Sequence, residues 1–539
     1  MRAPIALSLS FLLFPPLLPQ AVAQHEHGVP EQLGRVHFET TCKPDVAASF
    51  DRAVALLHSF SFSVAKQGFD DVAAKDPSCA IAHWGAALAH WGNPFAGMRS
   101  PKSLAGGQAA ISRALAAGTP SPRERDYIAA AAELFKNYDR VDQRTRVVAY
   151  EQAMERVYQA YPNDREAAAF YALAANQTAL PSDKRYTQQL KAAAILEKLF
   201  KDQPEHPGLA HYIIHAYDHP PLAPRALAAA RRYAQIAPSA PHALHMPSHT
   251  FTRVGSWQES IDTNIRSAEA AVREGTFGEA LHAMDYQVYA YLQSGQDRAA
   301  NRVIQDEAPK MLAKLDLNAM GGAAPPVAGL YAANAVHARY AMERGAWDEA
   351  AALKLQSSPF PFVDAITRFA RAIGAARTGR PEAAKADVAE LNALREKLAA
   401  MKDAYWTEQV GIQHQVASAW IAFAEGQKAE AVMLLRKAAD AEDTTDKSAI
   451  SPGPLAPARE LLGEMLLAVD RPADALTELE TTMKKEPNRF RATYYAAKAA
   501  SASGNTATAR KYFAQLVEIC KAGDKPGRPE LEEALLAGR

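Results

Sequence analysis

The chain has 539 residues, 60 of them basic and 60 acidic, so its formal net charge is zero. Without a basic stripe to neutralise phosphates, a nucleic-acid partner is not expected. The length exceeds what a single hydrophobic core usually serves, which leaves either several domains or a repeat stack whose units are buried only against their neighbours.

Residues 1–23 have the form of an export signal: Arg2, a short apolar run over 5–14, then Ala21, Val22 and Ala23 before the expected cut. The mature protein is therefore expected to be exported, either periplasmic or secreted. No later stretch approaches the roughly 20 apolar residues of a membrane helix, so no integral membrane segment is expected once the signal is removed. Residues 24–40 are expected to be extended and mobile. Of three cysteines, Cys42 and Cys79 flank the first helical hairpin. An oxidising compartment permits them to pair as a disulfide; the alternative is two small buried residues. Cys520 is left over.

From residue 41 onward the sequence is rich in alanine and helical periodicity, with no run of alternating β-branched residues. Its punctuation recurs. Glycine-centred turns fall at Gly255, Gly295, Gly345, Gly379, Gly426 and Gly504, and Asp470 fills the same role. The steps 345 to 379 and 470 to 504 are both 34 residues. Prolines at 77, 162, 204, 238 and 487 stop one helix and preset the next. This pattern resembles the tetratricopeptide-repeat (TPR) family over nearly all of residues 40–520, in an exported bacterial-type form.

The resemblance implies an all-α fold, an α-solenoid superhelix of helix-turn-helix hairpins. It also implies a concave groove, lined by the first helix of each unit, that binds a protein or peptide partner. A Gly/Ala/Pro-rich segment, 315–328, reads as a hinge between an N-terminal superhelix over 41–314 and a C-terminal one over 329–539. Residues 440–457 read as a longer loop.

The histidines follow the same step. His211 and His245 are 34 residues apart (245 − 211), as are His215 and His249 (249 − 215). If helices start at Pro207 and Pro241, then at ~100° per residue His211, His215 and Asp218 share one stripe and His242, His245 and His249 share another. Aligning Gly295 on Gly255 sets His282 opposite His242 and Asp285 opposite His245. Helix axes pack ~8–10 Å apart, so imidazoles from neighbouring units can share one ion, and i, i+4 side chains are already neighbours. Neutral imidazole with carboxylate suits a divalent transition metal such as zinc, iron, copper or nickel. Pro247 should kink the helix between His245 and His249.

Three readings of this cluster stay open: packed core histidines, a groove surface for a peptide or anion, and a metal site. No H-E-x-x-H, P-loop, G-x-S-x-G or C-x-x-C motif is present. The function expected is thus an exported scaffold with a ligand groove and a His/Asp metal site. The alternative is a metal-dependent enzyme that uses His211, His215, His245 and His249 as ligands, with Asp218 or Asp285 as ligand or general base. Tyr212 and Arg253, beside the histidines, are candidates to orient a ligand. Trp84 and Trp91, seven apart on one helix, form either an aromatic wall of the groove or core.

Overall fold

A computed structural model describes residues 31–320 and 322–537; the export-signal reading of 1–23 lies outside them. The described chain is all-α, a solenoid of antiparallel helical hairpins with no strand among the described residues. Local chemistry sets the helix ends. Each of the prolines singled out above lies two residues beyond a helix, after Lys75, Ala160, Asp202, Ile236 and Lys485. The turn residues Gly255, Gly295, Gly345, Gly379, Gly426 and Gly504 all adopt positive φ, and so does Asp470 at 59°. At Gly255 the requirement is double. Its φ is 69°, and a Cβ there would lie 2.5 Å from the carbonyl oxygen of Pro487.

The 34-residue step is real in space. Helices Pro207–Ala216 and Pro241–His245 each open on proline in their first turn. Pro247 ends the second helix early. A new segment, Pro247–Val254, follows after Met246, whose φ of −56° and ψ of −33° keep the backbone helical across the break. The result is a nearly continuous helix interrupted at Met246.

Three expectations change. Residues 31–40 have no regular structure, yet they are pinned across the repeats. The Arg35 N–H donates to the Glu205 carbonyl at 2.9 Å, and buried Phe38 packs against Phe50, Trp84 and Tyr127. Apolar burial there outweighs the freedom of a tail. The 315–328 segment does not divide two bodies either. Helices Phe277–Gln293 and Pro326–Glu343 pack directly on each other across it. Ala323 is fixed on both sides, donating its N–H to Glu279 at 2.6 Å and accepting from Asn93 Nδ2 at 2.8 Å. Finally, the expected 440–457 loop is shorter, because helix Lys428–Thr444 runs five residues into it.

The stack curls back on itself. Trp257 Nε1 donates to the Asn488 carbonyl at 2.8 Å, Arg489 reaches the Tyr289 hydroxyl at 2.7 Å, and the Asp524 N–H donates to the Gly295 carbonyl at 2.9 Å. Residues 445–457 run into the concave side so formed. Arg339 holds them by bonds to Ser451 Oγ and to the carbonyls of Gly453 and Pro454, each 2.8–2.9 Å. The groove beside the histidines is therefore filled by the chain itself. Cys42 and Cys79 are bonded, 37 residues apart, and Cys520 is free and buried.

Candidate metal centre

The six histidines of the stripe meet as two triads. His211, His215 and His242 form one; His245, His249 and His282 form the other. Within each triad one ligand nitrogen per ring lies within 4.8 Å of the others. The second triad is the first moved along the solenoid by one unit, 211 to 245, 215 to 249 and 242 to 282. Each takes an i, i+4 pair from one inner helix and a third imidazole from the next. His211 and His245, expected to share one ion, thus belong to separate triads.

All six rings are buried, with exposures between 0 and 9%. Burial pushes their protonation far down, reinforced by neighbouring imidazoles at His211 and His282, both at about 3, and by Lys447 at His249, at about 4. His215, His242 and His245 shift in the same direction for the same reason. The rings are neutral near pH 7.

Their tautomers are set by the nitrogens that face outward. His211 Nδ1 donates to the His58 carbonyl at 2.6 Å, His245 Nδ1 to Asn264 Oδ1 at 2.7 Å, and His249 Nδ1 to Asp218 Oδ2 at 2.8 Å. Asn264 is oriented in turn, since its Nδ2 donates to the Ser260 carbonyl at 2.7 Å. Both His245 and His249 therefore present a bare Nε2 to the other, 3.1 Å apart. Two lone pairs facing at that distance repel, and leaving buried acceptors unmet costs ~1–3 kcal/mol each. A cation at that point satisfies both. In the first triad His242 Nε2 lies 3.1 Å from His211 Nε2, and His215 Nε2 is buried with no partner among the described residues. His282 Nδ1 is similarly orphaned.

Asp218 lies just past the end of helix Pro207–Ala216 and braces the site. It accepts from His249, from Arg253 Nε at 2.9 Å and from Lys447 Nζ at 3.2 Å. Burial would raise its pKa, but Lys447, Arg253 and His249 hold it well below the usual carboxylate range. Burial lowers Lys447 to about 8, against the pull of Asp218. Asp285 does not join the cluster; its carboxylate is buried on Arg339 at 2.8 Å. Tyr212 is buried and bonds His58 Nδ1 at 2.9 Å, one layer behind His211. Trp84 is fully buried among Phe38, Tyr127 and Phe170, and Trp91 is enclosed by Phe135 and Arg99. Both tryptophans lie in the core, away from any groove surface.

Several site residues carry no sequence signal. Phe60 stacks on His242 and edges His211 from a left-handed backbone, φ 57°, that an aromatic residue adopts only when its surroundings compel it. Phe95 stacks on His215 and Tyr286 on His249. Lys447 arrives from more than 190 residues downstream, 3.4 Å from His249 Nδ1. A further buried trio, His58, Glu166 and His206, is joined through its carboxylate, while His206 Nδ1 is left without a partner among the described residues. Glu166 accepts from both imidazoles at 2.8 Å, and they hold its carboxyl far below the ordinary range although burial opposes this.

No family model and no curated protein matches this chain. Similar solved structures include the human IFIT1 dimer with m7Gppp-AAAA, 11% identical with a TM-score of 0.38, covering 83% of this chain and 90% of that one. Ypp1 is 9% identical with a TM-score of 0.46, over 82% of this chain and 66% of that one. The Naa15/Naa10 complex bound to HypK is 14% identical with a TM-score of 0.24, over 91% and 71%. All three are helical-repeat proteins, and the likeness does not extend to a site.

Proposed function

We propose that this protein is an exported, metal-binding helical-repeat protein whose N-terminal half holds two transition-metal ions, one per histidine triad. The observation that carries the reading is the His245–His249 contact, in which two buried Nε2 atoms, both stripped of protons by their outward bonds, face each other at 3.1 Å. The two competing readings fit less well. A packing role would pair these atoms, and buried polar atoms are normally paired. A partner-contact role would need exposed imidazoles, yet all six are covered, partly by residues 445–457. The Cys42–Cys79 bond supports an oxidising compartment, in line with the export signal.

Catalysis by the bound ions is the second reading, favoured by one feature. A small cleft of about 60 Å³ is lined by Arg253, Lys447, Tyr405 and Trp406, and of these Lys447 also touches Asp218 and His249.

The test is thermal unfolding of the metal-stripped protein with added zinc or copper(I). A metal that binds only the folded state at 100 times its dissociation constant stabilises it by about 2.7 kcal/mol. Within one triad, His211→Ala and the His211→Ala/His242→Ala pair should lose the same share of that gain, because ligands of one ion act as a unit. A wild-type melting point indifferent to both metals would refute the reading.

A further inference from the structure

Two questions follow from the paired triads: which ion they hold, and whether the two ions act separately. The donor set answers the first. Each triad offers three neutral imidazoles, and the nearest carboxylate, Asp218, is already shared by His249, Arg253 and Lys447. No anionic ligand is left to offset the charge of an ion. The cost of burying an ion grows with the square of its charge, so a monovalent ion costs about a quarter of a divalent one in the same place. Two cations, Lys447 and Arg253, beside the second triad add to that penalty. Of the metals that imidazole favours, copper is the one with a stable monovalent state, and softness and geometry select among them.

Ring spacing answers the second. Within the triads, ring centroids are 4.8 Å apart for His211–His215, 6.3 Å for His215–His242, 5.1 Å for His245–His249 and 6.4 Å for His249–His282. The remaining within-triad pairs, His211–His242 and His245–His282, are closer still, at 4.8 and 4.5 Å; across the boundary the distances are 5.9 Å for His242–His245 and 6.4 Å for His215–His249, at the upper end of the same range. The six rings are one cluster with two pockets of ligand nitrogens.

We propose that the six histidines form a single binuclear copper(I) centre whose two ions act together on dioxygen. The proposal rests on the metal reading above. Dioxygen is small, neutral and apolar, so its entry into a buried site carries no charge-desolvation cost. When bound, two copper(I) ions could supply one electron each, together the two electrons that take dioxygen to the peroxide level. The total charge of the centre is unchanged, and this step needs no outside reductant.

The experiment loads the full-length protein, stripped of metal, with copper(I) under anaerobic conditions, then admits air. Expected are two coppers per chain, uptake of one dioxygen per two coppers, and an electron paramagnetic resonance signal far below two spins, because neighbouring copper(II) ions couple. In His245→Ala, one copper should remain, take up no dioxygen, and after chemical oxidation give a full one-spin signal. Two full, independent spins in the wild type, or displacement of copper(I) by equimolar zinc, would overturn the binuclear copper inference and leave the metal reading standing. No bound metal of any kind would overturn both.

Discussion

Asp218 accepts the Nδ1 proton of His249 at 2.8 Å, and in doing so leaves the opposite nitrogen of that ring bare toward His245. A carboxylate behind a histidine fixes its tautomer and raises its basicity as a ligand, and losing such a brace typically lowers metal affinity 10–100-fold. Asp218→Asn should therefore retain the fold and bind metal 10–100-fold more weakly, read by competition with a chelator of known affinity. Unchanged affinity would show that Asp218 serves only Arg253 and Lys447.

Lys447 is expected to act in the opposite sense. Its ammonium, 3.4 Å from His249 Nδ1, raises the cost of placing a cation in the second triad. Lys447→Met keeps the apolar stem and removes the charge. Metal affinity should rise roughly tenfold, about 1.4 kcal/mol. A drop in affinity would mean that the lysine holds residues 445–457 in place and that this closure matters more than its charge.

The pH dependence of the metal-free protein follows from the depressed imidazoles. In the unfolded chain they protonate near 6.5; in the folded chain His249 does so only at about 4 and His211 and His282 at about 3. Between those limits the unfolded state binds more protons, so stability is full above about pH 6.5 and falls as pH drops toward 4. Each such group contributes up to ~1.4 kcal/mol per pH unit. Urea unfolding in the presence of a chelator should give a clearly lower midpoint at pH 5 than at pH 7. Equal midpoints would mean the rings are already charged or solvated in the native state.

Much of this arrangement is legible in the sequence. The 34-residue offset of His211 and His245, the helix starts at Pro207 and Pro241, and the alignment of His282 with His242 all hold in the structure. All three are local or periodic properties. What the sequence does not reveal depends on long-range closure. Asp285 has the right repeat phase but faces Arg339, because a buried guanidinium nearby outbids a neutral imidazole for a carboxylate. Lys447 reaches the site only because the solenoid curls and Arg339 anchors residues 451–454. Phe60 and Asn264 are ordinary residues by type, given their roles by neighbours from other units.

The Cys42–Cys79 bond closes a loop of 37 residues that includes the first hairpin. In the loop-entropy account such a closure stabilises by about 3–4 kcal/mol. Cys42→Ser/Cys79→Ser should be destabilised by that amount in urea unfolding while binding the same amount of metal, since neither sulfur lies in a triad. A loss of metal in this variant would tie the N-terminal hairpin to the centre through Phe60.

Counting the metal tests the central claim most directly. The full-length protein, stripped with chelator, reloaded with copper(I) or zinc and desalted, is analysed for metal per chain. Two triads predict two ions in the wild type, one in His211→Ala, one in His245→Ala and none in the double variant. A wild type that retains no metal, or a double variant that retains as much as the wild type, would contradict the account.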